Sequence, residues 1–189
     1  MKALKVAALV VATLVVVGLG FIFSAIFNVA ADDPHWAATR WLLEAARERS
    51  IAARVGGIRV PPLDDPELIA MGAEHYSEMC TQCHLAPGVE GSELRRGLYP
   101  EPPNLVEHGS AHSSQETFWI IKHGLKMTGM PAWGATHDDH SIWAMVAFLH
   151  KLPKLSPEAY RAIVGDRKAD KHSPDEHGGH HHASGEPAH

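Results

Sequence analysis

The chain has 189 residues, of which 45% are hydrophobic and 21% charged, and its formal net charge is -5. That length suits one folded domain with appendages. The acidic balance, without a dense basic stretch to neutralise a run of phosphates, excludes nucleic acid as the main partner.

The first element is LKVAALVVATLVVVGLGFIFSAIFNVAA, which carries no charge between Lys5 and Asp32. It exceeds the roughly 20 apolar residues needed to cross a bilayer as a helix. It is also too long and too evenly apolar for a core helix. Lys2 and Lys5 precede it and Asp32 and Asp33 follow, so the positive-inside rule keeps a short tail in the cytoplasm and exports the rest. A cleaved signal peptide is the rival, because NVAA ends in small residues. The apolar segment of a signal peptide is usually only about 7–15 residues. An uncleaved anchor over residues 1–31 is expected.

Residues 32–65 read as a helix and a linker. Trp41, Leu42, Ala45 and Ala46 recur at helical spacing, and Gly56 with Gly57 stops the run. Arginines on this juxtamembrane amphipathic helix suit anionic lipid. Glu44 and Glu48 share the polar face, which favours a plain spacer. IRVPPLDDP is then a proline-rich linker.

Residues 66–165 form the expected domain. Asp65 can cap a helix, Pro66 fits its first turn and Glu67 complements its dipole. Leu68, Met71, Gly72 and Tyr76 make an inward stripe that carries this helix into the cysteines. From Leu85 to His112, Gly and Pro recur, which predicts irregular loop with room for one short turn. SSQETFWIIKHGL is a second helix, capped by Ser113 or Ser114 and stopped by Gly124. KMTGMPAWGATHDD is loop again. DDHSIWAMVAFLHKLPKL is a last amphipathic helix that ends before Pro153. No strand pattern is convincing. Loops this long in a small domain usually wrap something or serve function. Residues 166–189 are rich in Gly, His and acids, without apolar periodicity, and are expected to be disordered. Their histidines suit weak metal binding or solvated filler, and filler is preferred because a flexible chain loses entropy on forming a site.

The only two cysteines stand in Cys80-Thr81-Gln82-Cys83-His84. This is the pattern for covalent attachment of c-type haem. Two thiols add across the two vinyl groups as thioethers, and the next residue supplies the proximal imidazole. A disulfide would not explain His84, and so tight a loop stabilises little. A thioredoxin-like pair expects a preceding strand. A zinc site needs four ligands, and no second cysteine pair exists. One covalent haem c per chain is expected, attached at Cys80 and Cys83 with His84 as the proximal iron ligand. Downstream, Met130 sits between Gly129 and Pro131, residues that permit close approach and fix the direction of a turn. A thioether on such a stiff loop suits the sixth iron position. Met127, His108, His112 and His123 are the rivals that residue type alone leaves open.

CTQCH, followed by KMTGMPAWG and a closing WAMVAFLHKL helix, resembles a single-haem class I cytochrome c. It is similar to the bacterial kind found in terminal oxidase subunits and in membrane-tethered carriers. The resemblance covers roughly residues 66–155. It implies an all-α cytochrome c fold of three to four short helices around the haem, beside the N-terminal transmembrane helix and the juxtamembrane helix. It implies Met130 as the distal iron ligand. It also implies a crossing of first and last helices, with Gly72 and Tyr76 against Trp143, Ala147 and Phe148. By the match of PPNL, the carbonyl of Pro103 accepts a hydrogen bond from His84. Arg95, Arg96 and Trp119 suit the propionates, and Leu98, Leu105, Ile120, Ile121 and Trp133 suit the porphyrin faces.

An iron held by His84 and Met130 has no open position for substrate, so the expected role is one-electron transfer rather than catalysis. The soluble domain is expected in the periplasm, tethered to a bacterial inner membrane, between a redox donor and acceptor of unknown identity. Two alternatives remain: a fixed haem subunit of a respiratory or dehydrogenase complex, and a haem enzyme or gas sensor with a labile methionine.

Overall fold

The computed structural model describes residues 1–171 of the chain. Residues 172–189, and with them most of the expected His-rich tail, lie outside the described residues. The described residues form nine α-helices and two 3-10 turns, with no strand among them. They divide into two compact units, Met1–Leu43 and the chain from Glu44 on.

In the first unit, α1 (Lys2–Phe23) has 22 residues and buries none of them. At 1.5 Å per residue it is about 33 Å long, enough for a hydrocarbon core of roughly 30 Å. Its mean hydropathy of 2.8 fits a single-pass membrane anchor. Beyond it, Phe27 packs its ring against His35 and, edge-on, against Trp36. Such aromatic groups suit the boundary between lipid and water. α2 (Ala37–Ala52) follows. Trp41 and Leu42, expected on its apolar stripe, are exposed, and its one buried residue is Ile51.

The second unit is built on α3 (Pro66–Met79) and α8 (Asp139–Leu149). Asp65 caps α3 through a bond from the Glu67 N–H, and Pro66 opens its first turn. Both signals were in the sequence, because each satisfies or removes an orphan donor of the first turn. α8 is buried from Ile142 through Leu149. The two helices meet at Gly72. A Cβ there would lie 1.9 Å from the Ala144 carbonyl oxygen, so only glycine lets the backbones approach this closely. Tyr76 and Phe148 flank the crossing, with ring centroids 5.4 Å apart.

The stretch expected to be loop holds more order than Gly and Pro suggest. α4 (Thr81–His84), α5 (Glu93–Arg96) and α6 (Leu105–His108) are single turns. α7 (Ser114–His123) starts with a full capping box between Ser113 and Glu116 and stops at Gly124. α9 (Pro157–Lys171) is an addition that the sequence reading did not anticipate. Its Tyr160 is buried and packs towards Phe148. Ile58 and Leu63, in the stretch read as linker, also pack against the core.

Candidate functional site

Cys80 ends α3 and begins α4, so the chain passes from one helix into the next at the first thiol. The His84 N–H bonds back to the Cys80 carbonyl at 2.8 Å, closing one turn that carries both thiols and the imidazole. The two cysteines are not joined to each other. Burial first, and then the neighbouring Cys83, push the Cys80 thiol up to about 12. A redox-active Cys-X-X-Cys pair works through a lowered thiol pKa. Cys80 has the opposite environment, which agrees with a thiol consumed in a covalent link.

The turn after α4 is sharp. Leu85 adopts φ 67, a left-handed conformation, yet is buried. The Tyr76 hydroxyl donates to the Leu85 carbonyl at 2.7 Å and lies 3.2 Å from the His84 carbonyl. A buried tyrosine hydroxyl needs such a partner. α3 therefore holds the backbone at His84 in place from inside the core. The sequence marked Tyr76 only as an apolar residue of the stripe, because spacing says nothing about where a hydroxyl ends.

His84 Nδ1 lies 2.9 Å from the Pro103 carbonyl oxygen. Only Nε2 is then left for a metal, and an N–H donor on Nδ1 fixes the ring and raises its basicity. Pro103 is itself positioned from both sides. The Arg95 Nε donates to the Pro102 carbonyl at 3.2 Å, and Arg95 pairs with Glu101. The Asn104 side chain accepts from the Val106 and Glu107 N–H groups and caps α6. Ser92 caps α5 and bonds the Gln82 carbonyl, tying α5 to α4. Desolvation holds the His84 imidazole below its ordinary pKa, with Arg95 acting the same way and the Pro103 bond acting against it. A neutral ring keeps the lone pair that a metal requires.

On the other side, the loop after α7 turns at Gly124, whose φ is 64. A Cβ there would meet the Met130 carbonyl oxygen at 2.7 Å. The Leu125 N–H donates to that same oxygen at 3.2 Å. The Thr128 hydroxyl donates to the Leu125 carbonyl and accepts from the Met130 N–H. These bonds close a small ring of chain that fixes the backbone of Met130. Its side chain packs against the core cluster that also receives Cys80, Leu105 and Trp133. Met127 has a φ of 60 and is 74% exposed.

The rival histidines are placed elsewhere. His108 stands at the surface, 3.7 Å from Glu107. His112 faces Glu48 and Glu116. His123 packs at a tilt against Trp119, ring centroids 4.9 Å apart. Arg96 is exposed and Trp119 lines a separate cleft, so of the three residues matched to propionates only Arg95 stands beside the His84–Pro103 pair. Of the residues matched to the porphyrin faces, Ile121 is buried, and Leu98, Leu105, Ile120 and Trp133 are half-buried. Leu105 and Trp133 pack against the same cluster as Cys80, and half-exposed apolar side chains of this kind fit a large flat apolar group.

The profile of a family described as cytochrome c oxidase, cbb3-type, subunit III matches residues 67–149. That stretch is a monohaem cytochrome c domain. The domain carries covalently bound haem c, to which Cys80, Cys83 and His84 fit, and the role that goes with it is haem-based electron transfer. The match begins inside α3 and ends at the last residue of α8, so it leaves out α1, α2 and α9. No curated protein matches the chain.

Proposed function

We propose that the protein is a membrane-tethered electron carrier whose haem iron is ligated by His84 and Met130, with its cytochrome domain on the periplasmic side. The bound haem supplies an iron that gains and loses one electron. The chain's own residues do the rest. Pro103 orients the His84 ring and keeps its proton on Nδ1. Tyr76 holds the turn behind it. Thr128 and Gly124 shape the loop that presents Met130. With His84 and Met130 both holding the iron, no position would be left for substrate, and the methionine would raise the reduction potential relative to two histidines.

The contrast between the two methionines carries this reading: Met130 packs against the core cluster that Cys80 joins, while Met127 projects into solvent. Substituting Met130→His tests it. The haem stays attached, the weak red band of sulfur-to-iron ligation disappears, and the potential falls on the order of a tenth of a volt, within the roughly 0.8 V that axial ligands span. An unchanged spectrum and potential would show that another group binds the iron.

In this reading residues 1–31 are the anchor, 32–65 the connection and 66–165 the electron-transfer domain. The transferred electron is exchanged with a redox donor and acceptor over a small interface that separates quickly. A second reading rests on the family that matches, which is an oxidase subunit. In that case the chain is a fixed part of a larger complex, and purification in mild detergent recovers it with other haem or copper subunits.

A further inference from the structure

A cleft of about 370 Å³ opens between α7, the start of α8 and the segment after α2, lined by Arg54, Arg59, Trp119, Lys122 and Trp143. It shares no residue with the Cys80–His84 turn or the Met130 loop. Its charge is unbalanced. Asp139 is the one carboxylate in its lining, and it is taken by Lys122 at 2.6 Å, while Lys122 also sits over the Phe118 ring. Among the described residues Arg54 donates to the carbonyl and hydroxyl of Ser50. Among the described residues neither Arg54 nor Arg59 has an acidic partner. Two guanidinium groups thus face one cleft in a chain whose net charge is -5, so general attraction to polyanions does not explain them.

The walls are aromatic. Phe118 and Trp143 stack at 4.2 Å with planes 17° apart, and Trp119 lines the same cleft beside His123. Among the described residues neither indole N–H has a hydrogen-bond partner. Guanidinium forks match the oxygens of phosphate, and indoles favour ligands that are apolar at one end and polar at the other. The geometry points to a binding site for a phosphate ester, gripped by Arg54 and Arg59 with its organic part along Trp119 and Trp143. The ester is either a soluble glycerol phosphate or the headgroup of an anionic phospholipid, and these share the chemistry the cleft recognises.

The full-length haem protein, reduced and held in an uncharged detergent, is titrated with glycerol phosphate and separately with short-chain phosphatidylglycerol below its micelle concentration. The indole N–H resonances report binding, with that of Trp119 identified through Trp119→Phe. One probe or both shift the Trp119 and Trp143 signals to saturation, and the probe that does so identifies the source. The double variant Arg54→Gln, Arg59→Gln weakens binding at least tenfold with its haem spectrum unmoved. Arg47→Gln, which removes a guanidinium paired with Glu48 outside the cleft, leaves it unchanged. The proposal fails if neither probe saturates, if the double variant binds as the parent does, or if a glutamate-rich peptide competes better than either phosphate.

Discussion

The α3–α8 crossing and the loops that carry Pro103 and Met130 are held together by different physics. At the crossing, Gly72, Ala144 and Ala147 are buried and contact is backbone to backbone. Close packing of that kind is made by groups of the polypeptide itself. The loops instead rest on polar bonds: Ser92 to Gln82, Arg95 to Pro102, His84 to Pro103, Thr128 to Leu125. Such bonds specify a shape but contribute only about 0.5–1.5 kcal/mol each. The crossing belongs to the polypeptide, whereas the loops are arranged around a group that the polypeptide must acquire.

The largest expected effect tests that contrast directly. With Cys80→Ala and Cys83→Ala the haem is not attached, and heating followed by circular dichroism should show no cooperative transition. A sharp transition with native helix content would mean that the loops sustain themselves. Gly72→Ala attacks the other side. Its Cβ must displace backbone, so the loss should lie near the top of the roughly 1–3 kcal/mol range for overpacking, read as a lower denaturant midpoint of the haem protein.

Tyr76→Phe sharpens the comparison, because this residue belongs to the crossing and holds the loop. Leaving the buried Leu85 carbonyl unpaired should cost about 1–3 kcal/mol. Amide hydrogen exchange should quicken at His84 and Leu85 more than in α8; uniform quickening would make Tyr76 a packing residue only.

The smallest effect is Ser113→Ala at the start of α7, expected to cost about 1 kcal/mol at neutral pH. Bonds from the Ser113 N–H and hydroxyl hold the Glu116 carboxyl below its usual 4.5. A lowered folded-state pKa gives stability that is whole above the unfolded value and fades as pH falls through the folded one. The deficit of the variant should therefore shrink on acidification, as stability curves at neutral and acid pH would show.

Much of the site was legible because its signals are local. Cys80, Cys83 and His84 fall within one helical turn, and the cap at Asp65, the stop at Gly124 and the Gly-Met-Pro loop depend on neighbours in sequence. α9 also left a trace: the Ser156 hydroxyl accepts from the Ala159 N–H, Pro157 opens the helix, and Tyr160, Ile163 and Val164 share a face. That trace lies beyond residue 155, where the resemblance ends, and after Pro153, which closes the preceding helical pattern.

From the sequence alone came the attachment chemistry, the apolar anchor and the helical class, since each is set by residue type at fixed short spacing. Only the tertiary structure decided that the Tyr76 hydroxyl reaches the carbonyl of Leu85, that Met127 faces solvent while Met130 packs inward, and that Arg54 and Arg59 converge on one cleft. Those outcomes depend on where distant segments meet, and a hydroxyl, a thioether or a guanidinium takes its role from what the fold places beside it.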